Sequence, residues 1–279
     1  MTGESEILRE WRETAPHWEE HAPTIRAMFA PLTRALIEEA GIRPGQRVLD
    51  VAGGAGEPSL TIAGVVGPTG SVVCTDAVAK MVVAAESEAR QRRVTNVEFH
   101  QCPADSLPFD DDSFDAAVSR LGIMFFPDPR VALLEMLRVV RSRGVLALAV
   151  WGRSDLNPFS YVINNVAARY FALPSADADA PGAFRFAEPG SLVQLLREGG
   201  AIEVRERLLD FRIEASISTE EFWRLRSETS GTLRENLAKL TPDERQRLSR
   251  EAQDAVKEFF SHDRMNFPAQ MIIVSGKRP

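Results

Sequence analysis

The residues with the clearest chemical meaning form a loop in which glycines follow an acidic side chain. The run 47–51 is short, is apolar apart from Arg47 and Asp50, and contains two β-branched valines, which predicts a buried strand. A glycine loop at the carboxyl end of a strand lets a ligand approach the backbone. A helical pattern beginning with proline follows the loop. Strand, glycine loop and helix together predict the first unit of a nucleotide-binding α/β sheet.

Two kinds of ligand suit such a loop. A dinucleotide enzyme uses G-x-G-x-x-G, with the pyrophosphate over the helix N-terminus. Here Ser59 stands at the third glycine, and Glu57 places a negative charge where the pyrophosphate would lie. Asp50 is also unusual for that class, because its first strand is apolar throughout. A carboxylate at this point suits a ligand that carries an ammonium group.

The run 48–56, Val-Leu-Asp-Val-Ala-Gly-Gly-Ala-Gly, resembles the first motif of class I S-adenosylmethionine (SAM) dependent methyltransferases that act on small molecules, as in quinone biosynthesis. In that motif an acidic residue ends the first strand and G-x-G-x-G follows. Ala52 replaces the first glycine, and Gly53 lies where cysteine is frequent. Alanine is a small change, so we expect the loop to form. The resemblance implies cofactor contacts from Asp50, Ala52, Gly53, Gly54 and Gly56.

A second predicted strand, 71–76, also ends in a carboxylate. Asp76 follows Gly56 by twenty residues, about the interval at which an acidic residue accepts hydrogen bonds from a ribose diol. A carboxylate can accept both diol hydrogens at once. Asp76 can equally cap the next helix, and the two roles are compatible. By the resemblance, Ala77 and Met81 also contact the cofactor, with Met81 against the adenine or ribose.

Two later stretches strengthen the resemblance. The turn after the third predicted strand, 96–101, is similar to the family's adenine-binding turn, which implies that Asp105 accepts a hydrogen bond from the adenine amine. Without the resemblance, Asp105 would be an ordinary turn residue. The loop after the fourth predicted strand, 114–119, corresponds to the family's contact with the methionine part of SAM. The implied contacts are Ala104, Asp105, Ser106, Ser119, Arg120 and Leu121.

The first 40 residues have a helical pattern. Trp11 and Trp18 lie seven residues apart, on one face of a helix if Pro16 bends it. One interpretation is that they pack a surface helix against the core. The other, which the resemblance implies, is that they belong to a helical cap from which Trp18 reaches the cofactor. We expect the neighbouring histidines to be solvent-exposed, with substrate contact as the alternative. No catalytic residue is assigned, and the candidates are His17, His21, Arg153, Asn157 and Tyr161.

These elements predict an α/β fold, a Rossmann-like doubly wound sheet of seven strands with the last antiparallel. SAM is expected over the ends of the first and fourth strands. The layout predicts a helical cap at 1–40, a SAM-binding core at 41–153 and the end of the sheet at 154–279, all in one structural domain. Two helical insertions, about 154–187 and 214–264, are interpreted as a substrate lid.

The composition argues against several classes of protein and partner. A formal net charge of -7 over 279 residues disfavours nucleic acid as a partner. The apolar runs are far shorter than the ~18 residues of a membrane span, and the acidic N-terminus does not resemble a signal peptide. Cys74 and Cys102 match neither a disulfide framework nor a metal site, so we expect packed thiols in a reducing cytoplasm. We expect a cytoplasmic monomer or homodimer without a metal ion.

The activity implied is transfer of a methyl group from SAM to an oxygen, nitrogen or carbon atom of a small molecule, which leaves S-adenosylhomocysteine. Two alternatives stay open. One is a SAM-binding protein that no longer transfers methyl groups. The other is a NAD-dependent oxidoreductase, which Ser59 and Glu57 disfavour.

Overall fold

A computed structural model describes residues 6–172 and 180–279. The chain divides into two compact units whose bounds differ from the predicted segments, since the N-terminal helical region is split after Phe29. The predicted loop 173–182 falls outside the described residues except for its last three. The sheet unit contains Ala30–Gly152, Ala178–Leu209 and Met271–Pro279, and the helical unit contains Met1–Phe29, Arg153–Asp177 and Asp210–Gln270.

The described residues form one sheet of eight strands. Its order is β3-β2-β1-β4-β5-β8-β6, and the two-residue strand β7 pairs with β8. Strands β1 to β5 are parallel to one another, and β8 is antiparallel to β5. The predicted α/β class with an antiparallel last strand is confirmed. The strands are β1 Arg47–Val51, β2 Ser71–Asp76, β3 Val97–Gln101, β4 Phe114–Arg120, β5 Val140–Trp151, β6 Ile202–Ala215, β7 Phe260–Ser261 and β8 Arg264–Lys277.

Strand β1 occupies the position that matters for binding. It is buried from its second residue onward, as expected for a parallel strand covered on both faces. It lies between β2 and β4, so that Asp50 is opposite Cys74 on one side and Val118 on the other. The strand order reverses between β1 and β4, and ligands of doubly wound sheets bind at such a reversal, beyond the carboxyl ends of the strands.

Helices account for much of the remaining described chain. None of them combines the length and apolarity needed to cross a bilayer. The helical pattern after Ser218 predicts breaks near residues 231 and 241, and the structure confirms them. One helix ends at Thr229, the next begins after Ser230, and a third begins after Thr241 with a capping box. The helices are α1 Glu6–Glu20, α2 Ala22–Met28, α3 Ala30–Glu39, α4 Ser59–Val66, α5 Ala79–Arg92, α6 Pro129–Val139, α7 Pro158–Ala167, α8 Ser191–Glu198, α9 Thr219–Thr229, α10 Gly231–Lys239 and α11 Pro242–Val256.

The start of β5 differs from the prediction. The sequence Ser-Arg-Gly at 142–144 predicts a turn before a strand that starts at 145, but β5 already begins at Val140. The backbone N–H of Arg143 donates to the carbonyl of Arg278. A register shift between Phe114 and Ala116 in the pairing with β4 accommodates the irregular stretch. The predicted turn is therefore an irregular part of a longer strand.

The core of the helical unit contains a group of aromatic rings that we call the phenylalanine cluster. The paired ring centroids lie 4.5 to 6.1 Å apart, within the range of favourable ring contacts. Helices, the short strand β7 and the first part of β8 contribute rings, so the cluster holds distant parts of the chain together. Its members are Phe29, Phe159, Phe222, Phe259, Phe260 and Phe267.

Asn157 joins two segments of the helical unit. Its side chain is fully buried. The amide nitrogen donates to the carbonyls of Arg153 and Gln270 at 2.8 and 3.1 Å, and the amide oxygen accepts from the Gln270 N–H at 3.0 Å. Both polar ends of this candidate residue thus bind backbone, which attaches the start of α7 to β8.

We predict that Asn157→Leu lowers the free energy of unfolding by about 2–3 kcal/mol, because buried backbone groups lose their partners without a change in side-chain size. Urea denaturation followed by circular dichroism measures this. The control is Asn165→Leu at an exposed position of α7, which should change stability by less than about 0.5 kcal/mol. Equal effects of the two substitutions would contradict the role given to Asn157.

Candidate functional site

Asp50 is a buried carboxylate in which one of the two oxygens accepts hydrogen bonds. Its Oδ2 accepts hydrogen bonds from the backbone N–H and the hydroxyl of Ser59, at 3.0 and 2.5 Å. Its Oδ1 is buried and has no hydrogen-bond partner among the described residues. A buried acceptor without a donor is destabilising, so this oxygen fits a ligand that brings its own N–H group.

The surroundings of Asp50 shift its protonation. Burial raises the pKa of Asp50 to about 7, although the hydrogen bonds from Ser59 and the charge of Arg120 act in the opposite direction. The carboxyl group therefore changes charge near neutral pH. A cationic ligand would favour the charged form, because an opposite charge close to a carboxylate lowers its pKa.

The glycine loop leaves no space for larger side chains at Gly53. A Cβ atom there would lie 2.6 Å from Cys74 Sγ and 2.9 Å from Asp50 Oδ2. Cys74 is buried, as predicted, and it fills the space beside the loop. Ala52 has a φ of 60°, a conformation that glycine adopts more readily, so the expected loop forms with alanine at this position.

Asp76 connects β2 to the glycine loop. Its Oδ2 accepts from the Gly54 N–H at 3.1 Å, and its Oδ1 accepts from the Val78 N–H at 2.9 Å, just before α5. Burial raises the pKa of Asp76 to about 6, against the effect of these two bonds. Each carboxylate oxygen can accept more than one hydrogen bond, so both remain able to bind hydroxyl groups.

Arg120 carries a buried positive charge at the end of β4. It donates to the Thr33 hydroxyl of α3 at 2.7 Å and to the carbonyl of Glu57 in the glycine loop at 3.1 Å. Burial lowers the pKa of Arg120, while Glu57 and Asp50 raise it. Its Nε and the hydroxyl of Ser119 are buried without partners among the described residues. The predicted proximity of this loop to the end of β1 is confirmed.

The loop after Arg120 also approaches the glycine loop closely. Leu121 has a φ of 62°, which is uncommon for a residue with a side chain. A Cβ atom on Gly122 would lie 2.6 Å from Ser119 Oγ and 2.8 Å from the Cβ of Ala52. The two loops are thus in contact, and strained backbone of this kind is often found at binding sites.

The predicted adenine-binding turn is held in place by α6. Glu135 accepts from the Leu107 N–H at 2.9 Å, and Arg138 donates to the carbonyls of Leu107 and Phe109 at 3.0 and 2.8 Å. Asp105 itself is exposed. Sequence analysis missed Glu135 and Arg138, because two opposite charges three residues apart on a helix are typical of a solvated surface. Met81 is buried, Ala77 and Ala104 are partly exposed, and Ser106 is exposed.

The other candidates lie in the helical unit. Trp11 and Trp18 share a helix face as predicted, with ring centroids 5.7 Å apart, and Trp18 Nε1 donates to the carbonyl of Thr229 at 3.2 Å. The expectation that both histidines are exposed is wrong for His21, which is 7% exposed. The reason is a close partner, since its Nε2 lies 2.7 Å from Glu228 Oε2.

His17 belongs to a small group of potential metal ligands. Its side chain, Glu20 and Glu228 have ligand atoms within 4.8 Å of one another. The absence of a metal therefore stays a prediction. Among the remaining candidates, Arg153 forms an exposed ion pair with Asp155 at 3.0 Å, and Tyr161 is partly exposed.

The structure brings together seven of the fifteen predicted cofactor residues. Direct bonds or close approaches within the sheet unit connect β1, the glycine loop, the end of β2 and the loop after β4. A surface depression of about 410 Å³, lined by residues such as Arg212 and Phe259, includes none of them. The residues brought together are Asp50, Ala52, Gly53, Gly54, Asp76, Ser119 and Arg120, and sequence analysis missed the roles of Thr33 and Ser59.

Comparison with known proteins gives matches over the same region. The family model of the ubiE/COQ5 methyltransferase family matches residues 32–173, about half of the chain. An uncharacterised protein of Mycobacterium tuberculosis is 38% identical over 133 residues, 47% of each chain. A ubiquinone/menaquinone biosynthesis C-methyltransferase of Ectopseudomonas mendocina is 40% identical over 114 residues, 40% of this chain and 44% of that protein. The chain thus spans about half the length of the curated relatives it matches.

Solved structures agree in fold. A putative methyltransferase from Bacillus halodurans covers 88% of this chain and 98% of its own, with a TM-score of 0.57 and 20% identity. The [4+2]-cyclase SpnF covers 96% of both chains, with a TM-score of 0.54 and 18% identity. At such low identity the likeness shows the fold alone.

We predict that Gly53→Ala lowers the free energy of unfolding by about 1–3 kcal/mol, because the added methyl group overlaps Cys74 Sγ. Cys74→Ala should recover part of this loss in the double variant, since it removes that overlap but not the contact with Asp50. A double-mutant cycle in urea measures the coupling. Strictly additive losses would show that the two residues do not compete for the same space.

We also predict a pH dependence of stability without ligand. The pKa of Asp50 is higher in the folded protein than its unfolded value of about 4, so protonation of Asp50 stabilises the fold. This stabilisation is complete below pH 4 and is lost as the pH rises through about 7. Asp50 alone should therefore lower the unfolding free energy by up to about 1.4 kcal/mol per pH unit in this window, and Asp76, with its pKa of about 6, adds a fall that ends at lower pH. Asp50→Asn should flatten the fall, measured by urea titrations at several pH values. Asp243→Asn, exposed on α11, should not; equal curves for the two variants would contradict the assignment.

Proposed function

The chain belongs to the ubiE/COQ5 methyltransferase family, and from this premise we propose that it transfers a methyl group from SAM to an oxygen, nitrogen or carbon atom of a small molecule. The product of the cofactor would be S-adenosylhomocysteine. The observation that carries this proposal is the pair of carboxylates on either side of the glycine loop, the buried Asp50 and the half-buried Asp76. One has a buried oxygen without a partner, and the other lies at the end of β2.

Three of the buried polar atoms without partners, those of the sheet unit, fit the amino-acid end of SAM. Asp50 Oδ1 is an acceptor and suits an ammonium group, whereas Arg120 Nε and the hydroxyl of Ser119 are donors and suit a carboxylate. This set contains both kinds of group that a zwitterion needs. A pyrophosphate would instead meet the carboxylate of Asp50 and Glu57, which would repel it.

The ribose and adenine are assigned to neighbouring residues of the sheet unit. Asp76 would accept hydrogen bonds from the ribose hydroxyls while it holds Gly54. Asp105 would accept from the adenine amine, and α6 would keep its turn in position through Glu135 and Arg138. The remaining cofactor contacts are proposed for Ala52, Gly53, Gly56, Ala77, Met81, Ala104, Ser106 and Leu121. The contact expected from Trp18, a residue of the helical unit, stays a prediction.

Bound SAM supplies a methyl group that its sulfonium already activates. The chain therefore has to hold the acceptor in line and exclude water. A base is required only when the acceptor atom carries a proton at pH 7. His17, His21, Arg153 and Tyr161 are the groups that we propose to test for this role. The helical unit would select the acceptor, because variable elements on a common scaffold carry specificity.

The alternatives make different demands on the same residues. For a NAD-dependent oxidoreductase, Ser59 would have to act as the third glycine, but its hydroxyl binds Asp50. Glu57 pairs with Arg92 and Thr61, which keeps its charge beside the loop. A SAM-binding protein without transferase activity would bind SAM equally well. The fold does not choose between these, since a [4+2]-cyclase shares it.

Calorimetry with SAM, S-adenosylhomocysteine and NAD tests the proposal. We expect SAM and S-adenosylhomocysteine to bind and NAD not to bind. Tight binding of NAD without binding of SAM would overturn the methyltransferase function. Incubation with methyl-labelled SAM and candidate acceptors then separates a transferase from a protein that only binds SAM.

We predict that Asp76→Ala lowers the affinity for SAM at least tenfold, about 1.4 kcal/mol, because the ribose hydroxyls lose their acceptor. The affinity for S-adenosylhomocysteine should fall by the same factor, since it has the same ribose. The matched control is Glu98→Ala on β3, where the side chain is exposed, and it should leave both affinities unchanged. An unchanged SAM affinity in Asp76→Ala would remove the ribose role of this residue.

A further inference from the structure

Arg226 carries a half-buried positive charge for which the described residues provide no acidic partner. It lies on α9, and its Nε is buried without a hydrogen-bond partner in the described part of the chain. Burial is the single influence on its pKa, which falls to about 10, and no described carboxylate opposes this shift. The guanidinium carbon lies 5.0 Å from the centre of the Phe159 ring.

Other arginines of the helical unit are arranged differently. Arg224, two residues earlier on α9, is 55% exposed and forms an ion pair with Glu20 at 3.2 Å. Arg169 likewise pairs with Glu251 at 3.0 Å and is 60% exposed. These are ordinary surface ion pairs. Arg226 instead points its charge at the aromatic face of Phe159, a member of the phenylalanine cluster.

This arrangement is unfavourable for the protein alone. Moving a guanidinium group out of water costs more than a single cation–π contact returns. A buried charge is stable when an opposite charge binds it with good geometry. The Arg226 side chain also keeps partial exposure, so that an anion from solution can reach it.

We propose that Arg226 binds the carboxylate of an organic acid whose apolar or aromatic body packs against the phenylalanine cluster. A guanidinium group offers two parallel N–H donors that match the two oxygens of a carboxylate. One arginine balances one negative charge, whereas a doubly charged phosphate would keep a net charge in apolar surroundings. The inference concerns a binding site within the helical unit and goes beyond the proposed function.

The test is calorimetry on the full chain with S-adenosylhomocysteine present. The probes are 3-phenylpropionate, its neutral amide and phenyl phosphate. We expect the acid to bind and the amide to bind at least tenfold more weakly, because the amide lacks the charge. This comparison uses the wild-type chain and so does not depend on the folding of a variant.

Two substitutions on α9 locate the binding group. Arg226→Met should lower the affinity for 3-phenylpropionate at least tenfold, and Arg224→Met should leave this affinity unchanged. Arg226→Met should also melt at the same temperature as the wild type or higher, because it removes a charge without a partner. A packing role for the arginine would instead lower the melting temperature and leave the preference for acid over amide intact.

Several results would overturn the inference. They are equal binding of acid and amide, binding of none of the three probes, tighter binding of phenyl phosphate than of the acid, and equal binding of the acid by Arg226→Met and wild type. The proposed function fails separately, because it requires S-adenosylhomocysteine to bind whether or not Arg226 is present. Binding of S-adenosylhomocysteine without binding of the acid would overturn the Arg226 site alone.

Discussion

The burial of the Asp50 carboxylate is the constraint on which the candidate site depends. Ser59 satisfies one oxygen, and this fixes the first residue of α4 against the end of β1. The chain between them must then close in few residues, which requires the left-handed backbone of the glycine loop. Arg120 balances the acidic charge and, through the carbonyl of Glu57, binds the far side of the same loop.

Asp76 extends this arrangement to the next strand. Because it accepts from Gly54, the position of the glycine loop depends on β2 as well as on β1. The loop after β4 completes the set by touching Ala52. Three strand ends therefore hold one short loop, and a ligand would meet groups that are already oriented. Such preorganisation reduces the entropy lost when a ligand binds.

Sequence analysis predicted the parts of this site that follow from local patterns. The carboxylates at two strand ends, the glycines and the parallel strand order came from periodicity and spacing, which short-range physics controls. Partnerships across the fold were not visible. Ser59 was interpreted as a departure from a dinucleotide motif, yet it is the partner of Asp50. His21 and Arg226 differ from exposed residues of their type through contacts with groups far along the chain or through burial.

The contact between Gly53 and Cys74 restricts the order in which this family can change its sequence. A larger side chain at position 53 and the cysteine at position 74 cannot coexist without displacement, because a Cβ atom at position 53 would lie 2.6 Å from Cys74 Sγ. A lineage that exchanged one arrangement for the other had to pass through a form with a small residue at both positions. That intermediate contains a void beside the loop, which lowers the free energy of unfolding, so the exchange required a protein stable enough to fold despite this loss. The two positions are therefore expected to vary together among homologues.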